Sequence, residues 1–302
     1  MAGASLQAAL LVNLAIGFIK MIVGLFTQSA AMISEAIHSF ADTLNQILLA
    51  FGIRRSKKYP DPEHPFGYSK VQFFWAFIVA ILIFGISGTL AFQHGLEIIL
   101  NPHGHHIELD KIGWNILELV CAMFLEFLAL RTAYSEAKTF KDKFQTPTIL
   151  QAIDDMQDPV LLSLLVEDSL ALVGLSIAFI GTMLTLITQQ PIIDGYTSMV
   201  IGLVLMVGGL LLARENKTYL VGKAVSDQIL NQIKSILKDQ TEIVSIKSIK
   251  TMLLGPSDMI LALDLTFKQT VENPASVIDK IEKQLAENID HLTPEKIFIE
   301  IQ

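Results

Sequence analysis

Cysteine and charge are scarce in this sequence, and each shortage excludes a class of protein. Cys121 is the only cysteine among 302 residues, so the chain forms no internal disulfide and holds no thiolate metal cluster. Charged residues make up 17% and hydrophobic residues 52%, and the mean hydropathy is +0.51. The net charge of −8 argues against nucleic acid as a partner. This composition is typical of a multi-span membrane protein with a soluble part.

Two signatures of enzymes are also missing from the sequence. It contains neither the His-Glu-x-x-His pattern of metalloproteases nor a Gly-rich phosphate-binding loop. An intramembrane metalloenzyme would need a general base and an open coordination position beside a substrate cleft. We therefore expect no enzymatic activity, no nucleotide dependence and no cofactor beyond a transported ion.

Six long apolar runs predict six transmembrane helices. They cover residues 6–26, 30–53, 72–98, 112–134, 159–187 and 191–213. The first run lacks the basic flank and cleavage site of a signal peptide, so we expect it to be retained as a span. The predicted fold class is therefore membrane α-helical, with a transmembrane domain over residues 1–215.

Basic residues are concentrated on one side of these runs. Twelve lysines and arginines lie in the 54–70 loop, between the fourth and fifth runs, and after the sixth run, whereas the other side has only Lys111. By the positive-inside rule, both termini and the two basic loops face the cytosol or its topological equivalent. We therefore expect a multi-pass protein of the cell (inner) membrane with both termini cytoplasmic.

The composition changes after Leu220, where a small α+β domain is predicted. Helical spacing, β-rich runs and turn residues follow one another in the order helix, strand, strand, helix, strand over residues 226–237, 246–254, 259–267, 274–289 and 296–301. Ser226 is a candidate cap for the first helix. We assign residues 216–302 to a cytoplasmic ferredoxin-like or metallochaperone-like αββαβ domain. The domain has only about 80 residues, near the lower limit for an independent core, so we expect it to dimerise. His291 is its only histidine, which excludes a His-built metal cluster there.

An ionisable stripe inside the second apolar run is the strongest functional signal. His38 and Asp42 are four residues apart and Glu35 is seven before Asp42, so a helix turning by about 100° per residue places all three on one face. Ionisable groups at membrane depth are costly and usually mark an ion path. Imidazole and carboxylate groups also form plausible zinc sites.

Two more carboxyl groups are predicted at the depth of Asp42. At about 1.5 Å per residue, Asp42 lies about 16 Å and Asp168 about 14 Å from the cytosolic ends of their spans, and Glu126 reaches a similar level. Protonatable groups that converge near the midplane are expected of a transporter. Glu126 suits a structural or proton-coupling role. Glu167 points about 100° away from Asp168, so both reach one site only if the helix is distorted.

Together these motifs resemble those of the cation diffusion facilitators, a family of proton-coupled zinc and transition-metal exporters. The resemblance covers nearly the whole chain. It includes the spacing of Asn13, Lys20, Gly24 and Ser29, the sequence Glu35-Ala-Ile-His-Ser-Phe-Ala-Asp42, and the loop Asp61-Pro-Glu-His-Pro-Phe-Gly-Tyr-Ser-Lys70. Within the family, residues 158–168 resemble the branch of human zinc transporter nine.

The resemblance implies a central metal site with two residues four apart on the second span and two four apart on the fifth. His38 and Asp42 match the first pair and Asp168 matches the last position, but Leu164 stands at the remaining one. Zinc takes four ligands. Glu167, Glu35 or water must then complete the shell.

Two other segments contain candidate ligands. Asp61 and His64 match a loop site that some family members use, although Tyr68 replaces its third residue; a structural cap formed by Asp61 is the alternative. His103, His105 and His106 form a short tract on the outer side, which suits either weak metal binding or a plain solvated loop.

The family resemblance implies a homodimeric exporter that exchanges a divalent cation, with zinc as the main candidate, for protons by alternating access. Metal binding requires neutral imidazole and ionised carboxylates, so it releases protons. Two alternatives stay open. Nitrogen and oxygen ligands also suit Mn²⁺, Fe²⁺ or Co²⁺, and the changes at Leu164 and Tyr68 would also fit a transport-deficient, metal-binding accessory protein.

Overall fold

The computed structural model describes residues 10, 13–15, 17–19, 21, 22, 25, 30–101, 109–269, 271, 273–289 and 292–301. Within these ranges it describes only the backbone of residues 30–38, 41, 84, 109–112, 114, 115 and 191. The predicted outer tract of His103, His105 and His106, and His291 of the C-terminal domain, lie outside the described residues.

Long helices account for most of the chain before residue 222. They are α1 (Ala30–Ser56), α2 (Val71–Leu82), α3 (Thr89–Leu100), α4 (Leu109–Phe144), the short α5 (Ile149–Met156), α6 (Pro159–Thr188) and α7 (Pro191–Val221). The π-helical turn Ile83–Gly88 joins α2 to α3 without a break. Within the described residues, the segments long and apolar enough to cross a membrane are Val71–Leu100, Pro159–Thr188 and Ile192–Val221.

The helix boundaries follow local chemistry. Asp158 caps α6, because its Oδ1 accepts hydrogen bonds from the backbone N–H groups of Val160 and Leu161 at 2.9 and 3.2 Å. Pro159 then occupies the first turn, where its missing N–H costs nothing. In the same way, Thr148 caps α5 by accepting from the N–H of Gln151. Helix α6 therefore begins at residue 159, where the sequence predicts the start of the fifth apolar run.

Glycines let the backbones of α3 and α7 approach each other closely. A Cβ atom on Gly202 would lie 2.6 Å from the backbone nitrogen of Phe92 and 2.7 Å from the carbonyl oxygen of Gly88. Gly95 and Gly195 meet in the same way at a second point of contact between the two helices. Small residues at such crossings allow the close packing that holds membrane helices together.

The C-terminal part folds into a three-stranded sheet with two helices. Its elements are α8 (Asp227–Lys238), β1 (Ile243–Gly255), β2 (Asp258–Phe267), α9 (Pro274–Asn288) and β3 (Ile297–Ile301), in the predicted order. β1 pairs with β2 antiparallel and β2 pairs with β3 parallel, which gives the sheet order β1-β2-β3. Leu261, Leu263 and Leu265 of β2 are buried against Ile233 of α8 and Ile281 of α9.

One prediction for this part is wrong. Ser226 is at the N-cap position of α8, but its side chain makes no capping hydrogen bond. Its carbonyl group instead accepts the first helical bond, from the N–H of Leu230 at 3.0 Å. The residue itself is buried, so its backbone position and not its hydroxyl group begins the helix.

The membrane helices and the sheet share one hydrophobic core. Phe73 of α2 stacks on Tyr219 of α7 with ring centroids 4.7 Å apart, and both belong to the cluster that contains the core of the sheet. Ser69 donates a hydrogen bond to Asp258 Oδ2 at 2.6 Å, beside the turn between β1 and β2. Helix α7 runs past residue 215 to Val221, so the predicted division at residues 215 and 216 lies within a helix.

We expect Gly202→Ala to lower the thermal unfolding midpoint of the protein in detergent, since the added methyl group meets backbone atoms that cannot move away locally. Overpacking of this kind costs about 1–3 kcal/mol. The control is Gly85→Ala, because a Cβ atom there has nothing within 4 Å. Equal midpoints for the two variants would show that α3 and α7 do not pack as described.

Candidate metal-binding site

A small polar cavity lies where the helices converge. Its volume is about 30 Å³, which is enough for one water molecule or one dehydrated cation. It is bordered by α1, α4, α6, α7, the π-helical turn and residue Asn13. The polar residues that line it are Asn13, Asp42, Gln46, Ser87, Glu126, Glu167 and Asp168.

The structure brings four of the predicted site residues to this cavity: Asp42, Glu126, Glu167 and Asp168. Glu167 and Asp168 both line this cavity, and their binding to one cation stays a prediction. Helix α6 is regular through both residues, and the cavity borders a wide arc of it that also includes Leu170 and Ala171. Consecutive residues about 100° apart can therefore both reach it.

The other two predicted ligands of the second span are not fully described. Glu35 and His38 lie in the backbone of α1, but the structure does not describe their side chains. Among the side chains that it describes, no three His, Cys, Asp or Glu groups are close enough to hold a metal ion as they stand. The four carboxyl groups thus border a common space without meeting at one point.

Glu167 is held by a neighbour that the sequence did not point to. Asn45 Nδ2 donates a hydrogen bond to Glu167 Oε1 at 3.1 Å, and Asn45 itself is only 5% exposed. The second oxygen, Oε2, is buried and has no hydrogen-bond partner within the described part of the chain. A buried oxygen without a partner costs free energy, which a proton or a cation in the cavity would recover.

Sequence reasoning also missed Gln46 and the π-helical turn. Gln46 follows Asp42 by four residues, so it continues the stripe of His38 and Asp42, and extending that spacing by one step would have found it. The turn Ile83–Gly88 contributes Ile83 and Ser87 to the cavity. π-Helical turns often occur at functional sites, but this one has no signal in the sequence.

Leu164, at the position where the family often has a ligand, does not line the cavity. It is 4% exposed and packs with Leu49, Val160 and Leu212 in an apolar cluster. These residues lie between the cavity and the helix ends that meet the C-terminal sheet. The side chain at this position therefore belongs to an apolar layer below the polar groups.

The loop between α1 and α2 is tied together by Asp61. Lys58 Nζ and the Tyr68 hydroxyl group each donate to Asp61 Oδ2 at 2.7 Å, and the backbone N–H of His64 donates to Oδ1 at 2.8 Å. These donors hold the pKa of Asp61 well below its usual range. The structure thus brings Asp61 and His64 together, with Asp61 as the cap of a turn, and a metal role for this pair stays a prediction.

We expect His64→Ala to leave the number of zinc ions bound per chain unchanged. Both oxygens of Asp61 already accept hydrogen bonds, and the Lys58 ammonium group beside them repels a cation. Isothermal titration calorimetry of the purified protein would measure the stoichiometry. A loss of one zinc ion per chain would establish the loop as a second site.

Comparison with known proteins identifies the family of the chain. The family described as the cation efflux transmembrane domain matches residues 6–221. The proton-coupled zinc antiporter SLC30A9, mitochondrial, of Mus musculus is 28% identical over 296 residues, which are 98% of this chain and 51% of that protein. Metal tolerance protein C4 of Arabidopsis thaliana is 28% identical over 266 residues, 87% of this chain and 56% of the relative.

A bacterial relative matches a shorter stretch. The magnetosome protein MamM of Paramagnetospirillum magneticum is 35% identical over 108 residues, 36% of this chain and 34% of that protein. The chain spans about half the length of the mouse and plant proteins.

Proposed function

The chain belongs to the cation efflux family of metal transporters, and we propose that it exports a divalent cation, Zn²⁺ first of all, in exchange for protons. The observation that carries the proposal is the cavity of about 30 Å³ between membrane helices that four carboxyl groups share. The name of the mouse relative, a proton-coupled zinc antiporter, supports both the cargo and the coupling ion.

The proposed architecture has six transmembrane helices in residues 1–215 and a cytoplasmic αββαβ domain of ferredoxin-like type in residues 216–302. Three segments of the described chain have the length and hydropathy of a span, and α1 and α4, at 27 and 36 residues, are also long enough. The basic loops favour cytoplasmic termini in a cell (inner) membrane. The mouse relative is described as mitochondrial.

In the proposed mechanism, His38, Asp42 and Asp168 bind the cation, and Glu167 and Glu35 are further candidate ligands. Ionised carboxyl groups that share a small cavity repel one another unless a cation or protons neutralise them. Metal and protons therefore compete for the same oxygens, which is the condition for antiport. We assign proton release and uptake to Glu126, which also lines the cavity.

Exchange between the two sides requires the site to open to each in turn. Leu49, Leu164 and Leu212 form a buried apolar cluster on three helices that also border the cavity, and we propose that this layer is the barrier on the side of the C-terminal sheet. We propose that rocking of the helices opens this layer for metal entry and closes it for release. Among the described side chains, no three ligand groups are close enough to bind a metal ion. We propose that the same rocking of the helices brings three of them together.

A second candidate is a carrier of Mn²⁺, Fe²⁺ or Co²⁺ with the same mechanism. One observation favours it, because each polar side chain that lines the cavity within the described part of the chain bears an oxygen atom. Oxygen ligands suit harder ions such as Mn²⁺ better than sulfur or purely nitrogen sites do. A metal panel on the purified protein would separate it from the zinc carrier. Flux into proteoliposomes would separate either from an accessory protein without transport.

We expect Asp42→Ala and Asp168→Ala each to abolish zinc-dependent proton flux in proteoliposomes. Each removes a carboxyl group that the metal and the protons share, while the protein keeps its size-exclusion profile and helical content. Thr43→Val is a matched control, since Thr43 is buried on the same helix but bonds to the carbonyl of Ser39. Zinc uptake retained by either aspartate variant would refute the central site.

We propose that the C-terminal domain is the principal dimer contact. Deleting residues 225–302 should therefore weaken dimerisation more than zinc binding to the membrane part, as measured by analytical ultracentrifugation and by zinc titration. The deletion also uncovers Phe73 and Tyr219, so Phe73→Ser in the shortened chain serves to keep it soluble. A dimer of unchanged stability after deletion would place the main contact in the membrane helices.

A further inference from the structure

Gln46 is the most deeply buried polar side chain at the cavity, and no part of the proposed mechanism yet uses it. It is 2% exposed, it lines the cavity, and its Oε1 atom has no hydrogen-bond partner within the described part of the chain. A buried amide oxygen left without a donor costs free energy. Such an atom indicates that something outside the described chain completes its bonding.

Gln46 lines the same cavity as the carboxyl groups. On α1 it is one turn from Asp42 toward the apolar layer, and within about 40° of it around the helix. The hydrogen bond from Asn45 to Glu167 fixes the adjacent residue of α1 against the segment of α6 that bears Glu167 and Asp168. Gln46 therefore faces the same space as Asp42 and Asp168.

We infer that the side-chain oxygen of Gln46 is a ligand of the transported cation and supplies the coordination that Leu164 does not. Leu164 packs in the apolar cluster with Leu49, so the missing ligand comes from another residue or from water, and Gln46 is the uncharged side chain of α1 beside the cavity. The amide carbonyl has two lone pairs and no charge. This inference rests on the proposed function.

The neutrality of the amide group is what suits it to this place. Four carboxyl groups already border the cavity, and a fifth anion would raise their mutual repulsion and hold a divalent cation too tightly to release. A carbonyl oxygen adds one bond to the cation without adding charge. It is also a hard ligand, of the kind that Mn²⁺ and similar ions prefer.

The test is metal titration of the full-length protein with Zn²⁺, Mn²⁺ and Cd²⁺ separately, using two variants at this position. Gln46→Leu removes the oxygen at nearly constant volume, and we expect zinc affinity to fall by at least about tenfold. Gln46→Met puts a soft thioether in the same place. We expect it to weaken Mn²⁺ binding while Cd²⁺ binding is kept. The dissociation constant for Mn²⁺ divided by that for Cd²⁺ should therefore rise by about tenfold or more.

Thr43→Val again serves as the control for a polar group lost from α1 away from the cavity, and all three affinities should stay as in the unmodified protein. A purely structural role for Gln46 would shift the affinities for all three ions alike in Gln46→Met, or none of them, and either result overturns the inference. Gln46→Met also decides the question if Gln46→Leu fails to fold, because its side chain matches glutamine in length.

Asp168→Asn, titrated in parallel, separates this inference from the proposed function. If zinc binding is lost in Asp168→Asn but the ratio of Mn²⁺ to Cd²⁺ affinities is unchanged in Gln46→Met, the inference about Gln46 is wrong and the transporter assignment stands. If Asp168→Asn binds zinc as well as the unmodified protein, the proposed site falls, and the inference falls with it.

Discussion

Repulsion among carboxyl groups in a place that water hardly reaches is the constraint on which the rest of this structure depends. Asp42, Glu126, Glu167 and Asp168 come from three helices and border a space the size of one water molecule. In an environment of low dielectric constant, their charges interact far more strongly than at a surface. The helices must therefore hold them close together while leaving a cation or protons to balance the charge.

Several packing features serve this constraint. The hydrogen bond from Asn45 fixes one oxygen of Glu167, and the apolar layer around Leu49 and Leu164 keeps the polar groups from solvent on one side. Gly88, the last residue of the π-helical turn, lies against Gly202 of α7, and Ile83 and Ser87 of the same turn line the cavity.

The sequence was sufficient for those parts of the molecule that repeat a simple period. Apolar runs located α6 and α7 closely, and alternating and helical patterns gave the order of elements around the C-terminal sheet. The four-residue spacing and a depth estimate placed Asp42 and Asp168 at one cavity. These inferences agree with the structure because one face of each element is buried, and burial imposes a periodic spacing of apolar residues on the sequence.

Contacts between elements distant in the chain were beyond such reasoning. The pairing of Asn45 with Glu167 spans 122 residues, and nothing local to either residue points to the other. The π-helical turn has no signal in the sequence, and Ser226 is predicted as a cap because hydroxyl side chains often cap helices. Leu164 was identified as a departure from the family, but its place in an apolar layer required the positions of three other helices.

The stacked rings of Phe73 and Tyr219 have a consequence for how such proteins can be recombined. The core of the C-terminal sheet is completed by side chains that the membrane helices supply, and Ser69 and Phe66 touch the same sheet through Asp258 and Phe298. A chimera that joins this membrane part to a relative's C-terminal domain at residue 222 would change the surface that these side chains contact. The side chains of the membrane part concerned are Phe66, Ser69, Phe73 and Tyr219. The exchangeable unit is therefore the domain together with the loop before α2, the first turn of α2 and the last turn of α7.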